Sequence, residues 1–180
     1  MAPQDETMSW THHDQDGKTY VCSTDPSFLQ LDALNEALGS DMLWWAMALP
    51  EDRLKTMVEN CMVLGLYLIE TETSSQQPQE SLKRTMIGSA RLITDRVTFG
   101  YVTDVYVLKE HQQRGLGTFL MKCLNVIVEG WPELRAVWIL PGSPELRKLY
   151  GSVFGARDFL ESNNSSKLRL LEKMGPASKH

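Results

Sequence analysis

The sequence predicts an α/β fold in which helices flank a mixed, mostly antiparallel central sheet. Three observations support this fold class. Strand-like segments follow one another without an intervening helix between residues 62 and 108. Segments with apolar residues at i, i+3, i+4 and i+7, the spacing of an amphipathic helix, lie before and after them. The last strand of the run ends with the apolar segment 104–108 and continues through a glycine-containing loop into one of these helices.

Two helices are predicted in the N-terminal third of the chain. Asp25 and Pro26 supply an N-cap and a first-turn proline for the first helix, which ends at Gly39. The second helix begins at Pro50, where an apolar stripe starts. The segment 42–47 between them is too apolar for a free loop.

The remaining elements follow from apolar periodicity and from the residues that end each pattern. In chain order they are a first strand at 18–22, strands at 62–69, 85–94 and 98–108, a helix after the glycine loop that Trp131 and Pro132 stop, a strand at 136–140, a helix opened by Ser143 and Pro144, and a last strand at 167–171.

The chain is predicted to contain one domain, at 18–175, because 180 residues suit a single core that buries about two-thirds of its unfolded surface. Residues 1–17 are polar and rich in acids, so we expect a flexible tail. The segment 71–82 is rich in Ser, Gln and Glu, and strand patterns resume after it. We therefore expect a mobile hairpin connection there.

Composition narrows the function classes. No apolar run approaches the ~20 residues of a membrane span, and the N-terminus lacks a signal-peptide core, so no membrane partner is expected. A net charge of −5 argues against nucleic acid and suits cationic partners such as amines. Cys22, Cys61 and Cys123 have no metal-ligand spacing, which predicts reduced thiols and no metal site. We expect a cytoplasmic or nuclear protein, monomeric or homodimeric.

The loop 112–117, Gln-Gln-Arg-Gly-Leu-Gly, has the chemistry of a diphosphate-binding loop. The first four N–H groups of a helix lack partners within it, and the helix dipole is positive at that end. Glycine at 115 and 117 removes Cβ atoms that would hold a phosphate away. A glycine-rich turn without a ligand is the alternative.

Two other nucleotide loops fit less well. A triphosphate loop needs Gly-Lys-Ser/Thr, but Thr118 follows Gly117 directly, and a dinucleotide fingerprint needs glycine where Leu120 stands. The pattern Gln-x-x-Gly-x-Gly after Val-Tyr-Val instead resembles the acetyl-CoA pyrophosphate loop of the GNAT superfamily of N-acetyltransferases.

The resemblance covers roughly residues 18–173, because the order of predicted strands and helices also matches that family. The segment Asp-Val-Tyr-Val at 104–107 resembles the fourth strand of one GNAT group, and Leu-Tyr-x-x-x-Phe-Gly at 149–155 resembles the second signature helix. The resemblance implies the GNAT acyl-CoA N-acyltransferase fold. It also implies direct transfer of an acetyl group from acetyl-CoA to a primary amine, with CoA as product.

The same resemblance implies where acetyl-CoA would bind. The pantetheine arm is expected along the backbone of Val105, Tyr106 and Val107, like an added strand, with a backbone N–H facing the thioester oxygen. The pyrophosphate is expected to contact loop residues mainly through main-chain N–H groups, with the Thr118 hydroxyl as an extra donor: Gln112, Gln113, Arg114, Gly115, Leu116, Gly117 and Thr118.

Two of the predicted cofactor contacts have an alternative. The Arg114 guanidinium either reaches a phosphate or is a solvated loop charge. Ser143 stands where the family has a cofactor-binding asparagine, but with Pro144 next it is also explained as a helix cap.

The resemblance implies two catalytic side chains. An amine with a pKa of about 10.4 arrives protonated at neutral pH, and Asp104 is the predicted general base. The alternative is an Asp that caps or forms an ion pair where the sheet splays; the family's usual glutamate is replaced by Thr103. Tyr150 is the predicted general acid for the CoA thiolate, the alternative being an aromatic ring that packs a helix on the sheet.

The predicted acceptor site contains Trp44 and Trp45, through cation–π contact with the amine, and Tyr101 and Thr103 on the fourth family strand. Adjacent tryptophans cannot both face inward in the same way, and ordinary core aromatics are the alternative. A small-molecule amine is favoured over a protein tail. A rival function is a GNAT-fold acetyl-CoA sensor or scaffold without catalysis, and a third is a nucleotide-binding protein.

Overall fold

The computed structural model describes residues 7–72, 81–161, 171 and 173–177. Within these residues, six strands form one sheet, with helices on both faces. The strands are β1 (Ser9–His13), β2 (Thr19–Ser23), β3 (Met62–Glu72), β4 (Ser81–Thr94), β5 (Phe99–Val107) and β6 (Ala136–Ile139). The helices are α1 (Leu31–Leu38), α2 (Glu51–Glu59), α3 (Leu116–Glu129) and α4 (Pro144–Phe154), and 3₁₀ turns lie at Pro26–Phe28, Asp41–Leu43, Lys109–His111 and Phe159–Glu161.

The sheet runs from β1 to β6 in chain order and opens between its last two strands. Neighbours from β1 to β5 are antiparallel, whereas β6 is parallel to β5. The parallel pairing joins Phe99–Val102 to Ala136–Ile139, and β5 then continues to Val107. In the described part of the chain, residues 103–107 therefore have no strand beside them on the β6 side.

Two apolar clusters lie on opposite faces of the sheet. The larger packs α3 and α4, with Leu120, Leu124 and Tyr150, against one face. The smaller packs α1 and α2, with Leu34 and Leu54, against the other. The buried stripe of α3 has the helical spacing of its sequence, and the predicted fold class is confirmed.

The first predicted helix is interrupted. The Asp25 carboxylate accepts a hydrogen bond from the Ser27 N–H, as expected of a cap, but the turn that it opens is the 3₁₀ segment Pro26–Phe28. Leu29 then returns to an extended conformation, and α1 begins only at Leu31. The cap therefore opens a short turn and not the helix.

The prediction of a flexible tail over 1–17 is wrong for residues 9–13, which form β1. This strand pairs with β2, and its side chains are only alternately half-buried, as on a sheet edge. The His12 ring stacks on Phe119 of α3, with ring centroids 5.0 Å apart. The polar composition of β1 hid it, because an edge strand needs little apolar surface.

Two further predictions lie largely outside the described residues. Of the predicted connection 71–82, the structure describes only the end of β3 and the start of β4. Of the predicted strand 167–171, it describes only Leu171, which is exposed. None of the described helices is both long and apolar enough to cross a membrane.

Asp14 holds the turn between β1 and β2 against the glycine loop. Its Oδ1 accepts hydrogen bonds from the N–H groups of Asp16 (3.0 Å) and Lys18 (2.9 Å). Its Oδ2 accepts the Tyr20 hydroxyl (3.0 Å) and the Arg114 guanidinium (2.9 Å). Burial alone would raise the pKa of Asp14, but the hydrogen bonds from Lys18, Tyr20 and Arg114 outweigh it and lower the pKa.

Replacing Asp14 with alanine is expected to destabilise the protein more than replacing Asp16. Asp14→Ala leaves the Tyr20 hydroxyl and two turn N–H groups without their acceptor, and should lower Tm by about 5 °C. Asp16→Ala removes only an exposed partner of Arg114 and should lower Tm by less than about 2 °C. Thermal unfolding of both variants at pH 7 measures the difference.

The lowered pKa of Asp14 also determines how its contribution to the stability of the folded protein depends on pH. That contribution is complete above the ordinary carboxyl pKa of 3.8 and is lost as the pH falls through the lower pKa of the folded state. The Tm difference between wild type and Asp14→Ala should stay constant from pH 7 to about pH 5 and shrink below about pH 4. An undiminished difference in acid would mean that the carboxylate is not the stabilising group.

Candidate active site

The loop before α3 contains two residues in the left-handed conformation. Gln113 and Gly115 have positive φ angles of 62° and 75°, and left-handed residues alternating along a loop form the concave anion-binding nests of proteins. The hydrogen bond from Phe119 N–H to Gly115 O (2.9 Å) closes the first turn of the helix. The N–H groups of residues 115–118 accordingly have no acceptor among the described residues.

The glycines of this loop leave open space. A Cβ at Gly115 or Gly117 would meet no heavy atom within 4 Å. Gly115 needs its glycine for the positive φ, but Gly117 has neither that need nor a packing contact. By contrast, a Cβ at Gly88 would lie 2.6 Å from the Tyr106 carbonyl oxygen. The space beside Gly117 suits close approach of a ligand to the backbone.

Two loop groups predicted to contact the cofactor contact protein instead: the Arg114 guanidinium, and the main-chain N–H of Gln112, which donates to the Lys109 carbonyl oxygen at 3.2 Å. The Arg114 guanidinium forms ion pairs with Asp14 (2.9 Å) and Asp16 (2.6 Å), and these hydrogen bonds raise its pKa. The Gln112 side-chain amide donates to the Val107 carbonyl oxygen at 2.8 Å. The loop therefore offers main-chain donors, with its cation turned to the β1–β2 turn.

The open edge of β5 carries backbone groups that no strand among the described residues pairs with. The Leu108 N–H donates to the Ile87 carbonyl of β4 at 2.8 Å. Because successive residues of a strand point their backbone groups to opposite sides, the N–H and C=O groups of Val105 and Val107 point away from β4, and of these the Val107 carbonyl oxygen already accepts the Gln112 side-chain amide. They face the gap where β6 has diverged, so this edge can pair with an extended ligand.

A β-bulge interrupts β5 at the same level. The register between β4 and β5 shifts between Ser89 and Arg91, so Asp104 and Val105 of β5 oppose the single residue Ala90. Asp104 has a φ of 48°, a left-handed conformation that costs an L-residue roughly 1–2 kcal/mol, with Asp among the more tolerant. The bulge thus needs support from the surrounding structure.

The Asp104 carboxylate is fully engaged. Arg91 places Nε and Nη2 each 2.7 Å from Oδ2, while Oδ1 accepts the Trp45 indole N–H (3.0 Å) and the Thr103 hydroxyl (3.2 Å). Asp104 is 4% exposed. The ion pair that the sequence left open as an alternative is the arrangement observed. Both oxygens of this carboxylate are therefore occupied by donors from the protein.

Tyr150 lies on α4 within the same apolar cluster as the side chains of Val105 and Val107. It is 5% exposed, and burial raises its pKa, so its hydroxyl is protonated at neutral pH and can donate. The Ser143 hydroxyl accepts from the Leu146 N–H at 3.3 Å, which is the cap predicted from Pro144. Ser143 therefore opens the helix that carries Tyr150.

The two adjacent tryptophans differ in burial. Trp45 is partly buried with its N–H on Asp104, whereas Trp44 is 53% exposed and meets the Trp45 ring edge-on, at a centroid distance of 5.6 Å. Tyr101 and Thr103 are both half-buried at alternate positions of β5, on one face of the strand. The structure thus brings Trp45, Thr103 and Asp104 together.

Sequence reasoning missed Arg91. A detectable signal existed: an arginine in the apolar run Ile-Gly-Ser-Ala-Arg-Leu-Ile needs a partner if the strand is buried. Metal chemistry has no such signal, since no group of three His, Cys, Asp or Glu side chains lies together among the described residues. Cys22, Cys61 and Cys123 are buried free thiols.

Comparison with known proteins identifies the family. Residues 41–156, which contain the bulge, the glycine loop and α4, match the model of the Acetyltransferase (GNAT) family. The Gibberella zeae protein named "Putative acetyltransferase FG08082" is 39% identical over 177 residues, which cover 96% of each chain.

Solved structures agree on the fold. A GNAT-family protein from Xanthomonas campestris is 24% identical with a TM-score of 0.61, covering 88% of this chain and 94% of that one. The GNAT protein SP0256 of Streptococcus pneumoniae is 15% identical with a TM-score of 0.53, covering 94% and 98%. At these identities the structural likeness supports the fold alone. The sequence relationships add the family, and the chain belongs to the GNAT family of acetyltransferases.

Proposed function

We propose that the protein is an acetyl-CoA-dependent N-acetyltransferase that acetylates a primary amine by direct transfer. The observation that carries this proposal is the adjacency of two sets of free backbone groups. The open edge of β5 ends at Val107, and the free N–H groups of residues 115–118 follow it within one short loop. Bound acetyl-CoA would supply the acetyl group as a thioester.

The residues present suit acetyl-CoA. Main-chain N–H groups of residues 113–118, with the Thr118 hydroxyl as a further donor, would hold the pyrophosphate beside the open space at Gly117. The backbone N–H and C=O of Val105 and the N–H of Val107 would pair with the pantetheine arm, because the Val107 carbonyl oxygen already accepts the Gln112 amide. We assign supporting roles to the side chains of Arg114, Gln112 and Ser143, because each already has a protein partner.

Three groups of this chain would act in the transfer. The Val105 N–H, at the bulge, is our candidate donor to the carbonyl oxygen as it gains charge. The Tyr150 hydroxyl would protonate the departing thiolate. Because Asp104 is engaged with Arg91, we no longer assign it as base, and the amine would lose its proton to solvent water. The burial of all three cysteines supports transfer without an enzyme thiol.

For the acceptor substrate we propose a chemical class. The half-exposed Trp44 and the partly buried Trp45 offer aromatic surface beside Thr103, and an ammonium group binds favourably over such rings. We propose small-molecule amines as the first acceptors to test, ahead of protein N-termini and lysine side chains.

A second candidate function is an acetyl-CoA-binding sensor or scaffold, and one observation favours it. The position of the usual family base is Thr103, and the neighbouring carboxylate of Asp104 is sequestered by Arg91. Turnover of acetyl-CoA against a panel of amines decides between the two. Tight binding of acetyl-CoA with no acetylated amine would support the sensor.

Gly117→Ala is expected to weaken CoA binding without destabilising the ligand-free protein. The added methyl group meets no protein atom within 4 Å and improves helix propensity by up to about 1 kcal/mol, so Tm should hold or rise. The methyl group would nevertheless hold the pyrophosphate away from the N–H groups and raise the Kd for CoA about ten-fold or more. Calorimetric titration with CoA measures this effect.

Gly130→Ala, at the other end of the same helix, is the matched control and should leave the Kd for CoA unchanged. Equal CoA affinity of wild type and Gly117→Ala would contradict the placement of the pyrophosphate.

Tyr150→Phe is expected to slow the enzyme without abolishing it. The buried ring is retained, so folding should be preserved, and only the proton donor is lost. A thiolate whose conjugate acid has a pKa near 8.5 leaves tolerably well unaided, so kcat should fall about 10–100-fold with little change in KM for acetyl-CoA. Steady-state kinetics with the best acceptor of the panel measures this. Tyr67→Phe, in the other apolar cluster, should keep the wild-type kcat.

A further inference from the structure

The bulge of β5 is held by two side chains from other parts of the chain, Arg91 of β4 and Trp45 of the segment after Asp41–Leu43. We propose that Arg91 and Trp45 are positioning residues that, through the Asp104 carboxylate, fix the direction of the Val105 N–H at the donor carbonyl. The inference rests on the proposed acetyl-CoA site and adds to it a function for three side chains.

The carboxylate is fixed in position and in rotation. The Arg91 guanidinium approaches Oδ2 through two nitrogens, Nε and Nη2, each at 2.7 Å, so it defines a plane as well as a point. The Trp45 indole N–H reaches the other oxygen, Oδ1, at 3.0 Å. Donors that come from different elements and bind different oxygens leave the Asp104 side chain a single orientation.

The orientation of this side chain determines that of the next peptide group. The Val105 N–H belongs to the peptide that follows the Asp104 Cα, so any rotation of the Asp104 backbone moves it directly. Asp104 has a φ of 48°, away from the usual extended region, and a relaxed strand there would remove the bulge. Fixing the Asp104 carboxylate therefore keeps the Val105 N–H pointing towards the gap between β5 and β6.

The location of this cluster argues against a purely stabilising ion pair. Three described residues other than glycine have a positive φ: Arg96 lies in a turn, Gln113 in the glycine loop, and Asp104 within a strand. Burying an ion pair seldom gives net stability, because both groups lose their hydration. A strained residue and a buried ion pair coincide at the level where β6 leaves β5, which is the point where the proposed reaction needs a fixed donor.

The test uses conservative changes, each of which removes one feature of the cluster. Trp45→Phe keeps an aromatic ring and loses the indole N–H. Arg91→Lys keeps the positive charge and loses the contact through two guanidinium nitrogens. Asp104→Asn keeps the shape of the side chain and loses its negative charge. The matched controls are Trp131→Phe, beyond the end of α3, and Arg53→Lys, whose side chain is exposed on α2. Neither control residue contacts Asp104 in the described structure.

The first measurement needs no ligand. Hydrogen–deuterium exchange of the segment 103–107 should be about five-fold faster in Trp45→Phe and Arg91→Lys than in wild type, as expected when one net hydrogen bond is lost from a local opening equilibrium. The two controls should exchange at the wild-type rate. In the Asp104→Asn background, adding Trp45→Phe should cause less further acceleration than it does in wild type, because both changes act through the same carboxylate.

The second measurement records the carbonyl stretch of acetyl-CoA labelled with ¹³C at the thioester carbon. On binding to wild type and to both controls, the band should move to lower frequency, as for a hydrogen-bonded carbonyl. In Trp45→Phe, Arg91→Lys and Asp104→Asn this shift should be smaller, although acetyl-CoA still binds at the glycine loop.

The outcomes separate this inference from the proposed function. If the wild-type protein binds no acetyl-CoA, the proposed function and the positioning role are both overturned. If wild type binds it and shifts the band, but Trp45→Phe and Arg91→Lys match wild type in both exchange and band position, only the positioning role is overturned. Should Asp104→Asn fail to fold, the two remaining variants and their controls still decide.

Discussion

The structure depends on one constraint: β6 pairs with only the first part of β5 and then separates from it. The parallel ladder ends at Val102 and Ile139, while β5 continues to Val107. Backbone N–H and C=O groups demand partners, so the edge beyond Val102 must be met by side chains, as Gln112 meets the Val107 carbonyl oxygen, by solvent or by a ligand. After the 3₁₀ turn Lys109–His111, the chain enters the glycine loop. The free N–H groups at the start of α3 therefore follow the end of this edge closely in the chain.

The parts of the fold that the sequence predicts are those with a strong local signal. The stripe of α3, the Ser143 cap of α4 and the order of β3, β4 and β5 all follow from spacing within a few residues. β1 lacked such a signal, because it is a polar edge strand. Its turn is fixed by the ion pair between Asp14 and Arg114, which lie 100 positions apart in the chain. Periodicity carries no information about contacts of that range.

In the site, too, the features with a local sequence signal could be predicted, and those that depend on distant contacts could not. Glycine spacing predicts a loop of backbone donors, and the N–H groups of residues 115–118 have no acceptor among the described residues. The state of Asp104 could not be predicted, since a carboxylate in a sequence does not reveal what binds it. Arg91 comes from the neighbouring strand, and Trp45 is 59 positions away from Asp104. Whether Asp104 is free or paired is decided by that packing.

Two arginines near the site are paired with carboxylates of the protein, Arg91 with Asp104 and Arg114 with Asp14 and Asp16. In both cases a flexible charged side chain holds backbone in place, and backbone dipoles face the position proposed for the ligand. Dipoles that are already oriented need no reorganisation when charge develops, whereas a mobile cation would have to be ordered first. The strain at Asp104 and the buried ion pair are therefore best understood as costs that keep the neighbouring amides fixed.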